Sequence, residues 1–167
     1  MNISWKNLAT RAVKGVLAIK DVKPSQLQAL LLNINVKTRE NAVAEMISKD
    51  AVSLVTFIQI LVATKYVAPA LWDKPLKAGG SWEARTVKLL NAELDASPLS
   101  LDELLPMTTR FNAGYSEATL RRHIETGAIS LADFFVVLYC LRSDSARNFL
   151  QQVDIDAAAK GRKSSPT

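Results

Sequence analysis

Sliding the 167-residue sequence along itself by 77 positions brings Trp5 onto Trp82, Leu17 onto Leu94, Leu27 onto Leu104 and Asn35 onto Asn112. The match continues with Glu40 on Glu117, Ile47 on Ile124, Ala51 on Ala128, Ser53 on Ser130, Leu54 on Leu131, Phe57 on Phe134 and Leu61 on Leu138. That is 11 identities over 62 gapless positions, where unrelated sequences give roughly a third to a half as many. Conservative matches fill the intervals, among them Arg11 with Lys88, Val13 with Leu90, Val43 with Leu120 and Val52 with Ile129. A repeat of this period constrains the fold more than any other feature, because it demands two units built alike. The units are 5–66 and 82–143. Between them "VAPALWDKPLKAGGSW" holds two prolines and a Gly-Gly pair, which predict a linker over 67–81. Beyond the second unit, 144–155 predicts one short helix, and the small, polar and basic residues 156–167 predict a disordered tail.

Each unit reads as four helices, so the expected class is all-α. Leu8, Ala12, Val16 and Ile19 recur at helical spacing and predict a first helix over Trp5 to Lys20, with Trp82 to Ala96 as its counterpart. Second helices are expected at the capping-box patterns Ser25 to Gln28 and Ser100 to Glu103, which sit two aligned positions apart. Third helices are expected from about Thr38 to Ser48 and from Ser116 to Thr126. Fourth helices follow Ser53 and Ser130 as N-caps. "LVTFIQILV" and "LADFFVVLYCL" are apolar on most faces. That predicts burial on more than one side, with the two units, or two chains in a homodimer, packed through these helices.

The order of an apolar helix, a capped helix, a turn, a helix ending near Gly127 and a Ser-Leu-x-x-Phe helix resembles the compact helix-turn-helix domains of the lambda-repressor-like superfamily. It resembles more closely a small bacterial domain family of unknown function with this pattern. Leu120, Ile124, Gly127 and "SLADFFVVL" carry the likeness in the second unit, and Val43, Ile47 and "SLVTFIQIL" in the first. The first unit departs from the pattern with Asp50 in place of the glycine, which predicts a distorted end to its third helix. The resemblance implies two tandem helix-turn-helix-like modules whose third helices read the DNA major groove.

On that implication, duplex DNA is the expected partner and the protein a small regulator of transcription. The second unit offers Ser116, Thr119, Arg121 and Arg122 to the bases and Arg110 to a phosphate. Arginine suits both tasks because its planar fork meets guanine or phosphate bidentately. The first unit offers Lys37, Thr38, Arg39 and Asn41, with Arg11 and Lys14 as further phosphate contacts. The alternative for the arginine pair is a solvated helix face on which Glu117 and Glu125 pair with Arg121. The alternative for the whole chain is a module of the same fold that holds a protein partner.

Charge divides unevenly. Of the net +5, the first unit carries +5 and the second −2, with +1 each from the joint and the segment after Ser143. Phosphate neutralisation dominates nucleic-acid affinity, so the first unit is the expected anchor and the second the source of specificity. No enzyme is expected, and no cofactor. The sole histidine, His123, aligns with Met46 and reads as a filler of a half-buried site. The sole cysteine, Cys140, aligns with Ala63 inside an apolar helix and reads as core. With one cysteine there is no internal disulfide. Neither a signal peptide nor a membrane-spanning run is recognisable, so a cytoplasmic location is the default.

Overall fold

Serines start most of the longer helices. Ser4, Ser53, Ser81, Ser100, Ser116 and Ser130 hold extended backbone, and each hydroxyl accepts the N–H three residues on. Such caps satisfy one of the four amides a helix start leaves without a partner. The structure, a computed structural model, describes residues 3–111 and 116–163. Asn112, the aligned partner of Asn35, and the tail residues 164–167 lie outside the described residues. Helices α1 (Trp5–Ile19), α2 (Leu27–Leu32), α3 (Ala42–Ser48) and α4 (Leu54–Thr64) come first. After α5 (Asp73–Lys77) come α6 (Trp82–Asp95), α7 (Leu101–Thr109), α8 (Glu117–Thr126) and α9 (Leu131–Cys140), and α10 (Gln152–Lys163) ends the order. Among the described residues every regular element is a helix, and none is long and apolar enough to cross a membrane.

The helices of the two halves start and stop within two residues of a constant offset of 77, once the 3-10 turn Pro24–Gln26 is counted with α2. Left-handed backbone recurs at the same offset. Asp50 (φ +52°) matches Gly127 (φ +79°), and Lys65 (φ +58°) matches Arg142 (φ +56°). Asp50 therefore adopts the conformation that glycine adopts in the second half, and the Thr10 hydroxyl donates to its carboxylate. Gly127 has a tighter surround: a Cβ there would lie 2.9 Å from the Glu83 carbonyl oxygen and 3.3 Å from the Thr86 Cβ. Gly127→Ala should cost about 2–3 kcal/mol, from left-handed strain plus overlap with backbone. An unchanged denaturation midpoint would show that α8 can back away from α6 freely.

The fourth helices form the centre. Phe57, Leu61, Phe134 and Leu138 are fully buried, and Phe57 meets Phe135 edge-on across the halves at 6.4 Å. An isolated antiparallel bridge joins Ser53 to Ser130. There the Leu54 N–H donates to the Ile129 carbonyl and the Leu131 N–H to the Val52 carbonyl, both at 3.0 Å. Each fourth helix thus has its first amide satisfied by the other half. Because these residues stand 77 apart in pairs, exchanging the halves turns one bond into the other. Helix packing follows the same exchange, with α1 against α9 and α6 against α4.

Three expectations need correction. Residues 67–81 are a folded segment rather than a bare linker: Ala70–Trp72 and α5 are helical, and Trp72 is fully buried. Pro75 is tolerated because it sits in the first turn of α5, where no intrahelical N–H bond is required. The expected disordered tail is helical through Lys163. Ile155, Ala158 and Ala159 are buried as α10 lies on α1, since alanines combine strong helix propensity with a face small enough for close approach. The box expected at Ser25 is absent. The Lys23 N–H instead donates to Gln26 Oε1 at 2.8 Å, in register with the complete box of Ser100 and Glu103.

Candidate nucleic-acid interface

Helix α8 forms because Ser116 caps it and Leu120 and Ile124, four apart, bury one stripe against α7 and α6. The opposite side is solvent-facing: Ser116, Glu117, Ala118, Arg122 and Glu125 are exposed. The Ser116 hydroxyl accepts the Thr119 N–H at 3.2 Å and lies 3.3 Å from the Thr119 hydroxyl, so both side chains are engaged in the cap. Arg121 reaches across to Asp102 on α7 instead of pairing with Glu117 or Glu125. Arg122 is exposed and has no ion pair among the described residues. Arg110 caps the end of α7 and is likewise exposed.

The first half is laid out differently. Its third helix begins at Ala42, not near Thr38, because Asn41 at the N-cap takes left-handed backbone (φ +63°). Lys37, Thr38 and Arg39 therefore lie on the turn before α3, where the Thr38 carbonyl accepts from Gln28 Nε2 at 3.0 Å. Arg39 pairs with Glu45 at 3.2 Å. Arg11 lies on the outer face of α1, 3.6 Å from Asp154 of α10, and Lys14 is exposed one turn further along. The predicted residues thus fall into three groups: the α1 face, the turn before α3, and the α7–α8 corner. Residues 33–41 separate α2 from α3, more than the three or four residues of a helix-turn-helix turn. Nothing in this geometry identifies the chain with the lambda-repressor-like superfamily.

Cys140, on α9, is buried. Burial raises the Cys140 thiol above its ordinary pKa, with a lesser opposing effect from the Thr108 hydroxyl, so the thiolate is scarce. Among the described residues no group of three or more His, Cys, Asp or Glu converges as a metal set would. One polar cluster escaped the sequence reading. Glu93, 2% exposed on α6, accepts from Trp72 Nε1 and from the Ser143 hydroxyl, each at 2.7 Å. The signal was present, since Glu93 continues the buried stripe of Thr86, Leu89 and Leu90 and aligns with buried Val16.

Residues 5–67 match the model of a family described as a domain of unknown function, DUF6471. The match runs from α1 through α4. No curated protein and no solved structure matches the chain. The description of DUF6471 assigns no activity to the residues above.

Proposed function

We propose that the chain is a small DNA-binding regulator made of two copies of one four-helix module, residues 5–66 and 82–143. The duplication is supported by the constant offset of helix bounds, the paired left-handed residues and the reciprocal bridge. The observation that carries the DNA reading is the exposed outer face of α8, with Arg122 near its middle, exposed and unpaired among the described residues. It is supplemented by Lys6, Lys14, Lys23, Lys37, Lys49 and Lys65, all exposed on the first copy and without ion pairs among the described residues. In this reading Arg122 meets base edges and the lysines meet phosphate. A protein partner is the second reading, favoured by Asp102 and Glu45, which already occupy Arg121 and Arg39.

Equilibrium titration of labelled duplexes at several salt concentrations tests the proposal. Binding should weaken steeply with salt, and Lys14→Ala should reduce the log–log slope by about 1 without changing sequence preference. Arg122→Ala should cost about 1–3 kcal/mol on a selected site and relax its specificity. No duplex binding even at low salt would sink the DNA reading and leave the protein partner.

A further inference from the structure

We infer that the duplex recognised is an inverted repeat with two unequal halves; this rests on the DNA reading above. The contacts between the copies are reciprocal: Leu54 takes Ile129 as acceptor where Leu131 takes Val52. Likewise α1 lies on α9 where α6 lies on α4. Reciprocity of this kind is the mark of a two-fold relation, because copies stacked by translation make contacts that do not reverse on exchange. A two-fold axis passing between Ser53 and Ser130 puts α3 and α8 at one height along it, related by a half-turn. Proteins so arranged engage half-sites of opposite orientation on the two-fold-related strands of DNA. A translated pair would engage a direct repeat.

The halves of the target differ because the copies differ where they face it. At the offset of 77, Arg122 is replaced by Glu45, Arg121 by Ala44 and Ala118 by Asn41. Glu45 is exposed on α3 as Arg122 is on α8, so the exchange lies on a solvent-facing surface in both copies. An arginine fork specifies a guanine, and a glutamate at that place repels phosphate and offers only an acceptor. One half-site is therefore read strongly and the other weakly. A homodimer cannot do this, since its two halves are identical.

Selection from a randomised duplex library with the full chain, followed by sequencing, decides the matter. The enriched motif should hold two inverted elements at fixed spacing, one more sharply specified than the other. Arg122→Ala should weaken binding about 5- to 150-fold on the selected site and erase preference in the sharper element alone. Its unfolding midpoint, expected to match the parent for so exposed a side chain, excludes misfolding as the cause. A direct repeat, a lone half-site, or loss of preference in both elements would overturn the inference while leaving DNA binding standing. Absence of any enrichment together with absence of low-salt binding would remove the DNA reading, and this inference with it.

Discussion

Trp72→Ala should lower the unfolding free energy by about 3–5 kcal/mol, the range for emptying a buried aromatic site. The indole is fully buried, stacks on Phe149 at 5.4 Å and meets Phe134 at 5.7 Å. Its removal also withdraws the donor that holds Glu93 Oε2. Domains of this size are stable by only about 5–15 kcal/mol, so the alanine variant stands near the limit of folding. Trp72→Phe provides the milder measurement: it keeps most of the ring volume but leaves a buried carboxylate oxygen without its donor, for about 1–3 kcal/mol. Chemical denaturation of both variants reads the result. A Trp72→Ala loss under about 1 kcal/mol would show that the segment between the two halves docks too loosely to belong to the core.

Phe134→Ala should cost a similar 3–5 kcal/mol. Phe134 is fully buried on α9 between the rings of Trp72 and Phe135. Phe57 occupies the matching place on α4, against Phe135 and Phe149, and its truncation should cost about as much. Phe134 and Trp72 share a contact, so the double variant should fall short of the sum of the single losses, by an interaction of roughly 0.5–3 kcal/mol. Strict additivity would mean that the two rings do not support one another. A Phe134→Ala change within about 0.5 kcal/mol would contradict its burial altogether.

Much of this architecture is legible in one sequence because its signals are local. A serine before an apolar run marks a helix start, and Ser53 and Ser130 cap helices as that rule predicts. Phe57, Leu61, Phe134 and Leu138 are buried because helices apolar all round have no face to offer water. Where the reading failed, tertiary contact outweighed local chemistry. Pro69 and Pro75 read as breakers, yet Trp72 between them has a place in the core to fill. Residues 156–163 look like tail until α1 is available to cover Ala158 and Ala159. The candidate interface was less legible still. Exposure of Arg122 follows from helical spacing alone, but Arg121 is taken by a carboxylate 19 residues away, and a left-handed Asn41 delays α3 past Lys37, Thr38 and Arg39. The first effect is written far from the residue it displaces, and the second turns on a single asparagine, a residue type that tolerates left-handed backbone.

The reciprocal bridge between Ser53 and Ser130 has a genetic consequence. When two-fold surfaces meet between separate identical chains, every mutation lands on both sides at once, and a change helpful on one side is charged against the other. Here both sides are encoded separately, so each position can drift without its mate. On the proposed duplication, the buried carboxylate of Glu93 at the place of Val16, and the arginine at 122 at the place of Glu45, are differences that separate encoding permits. Cohesion between the sides is also unimolecular. The melting temperature should therefore stay constant as protein concentration changes, where a dimer of separate chains would melt lower on dilution.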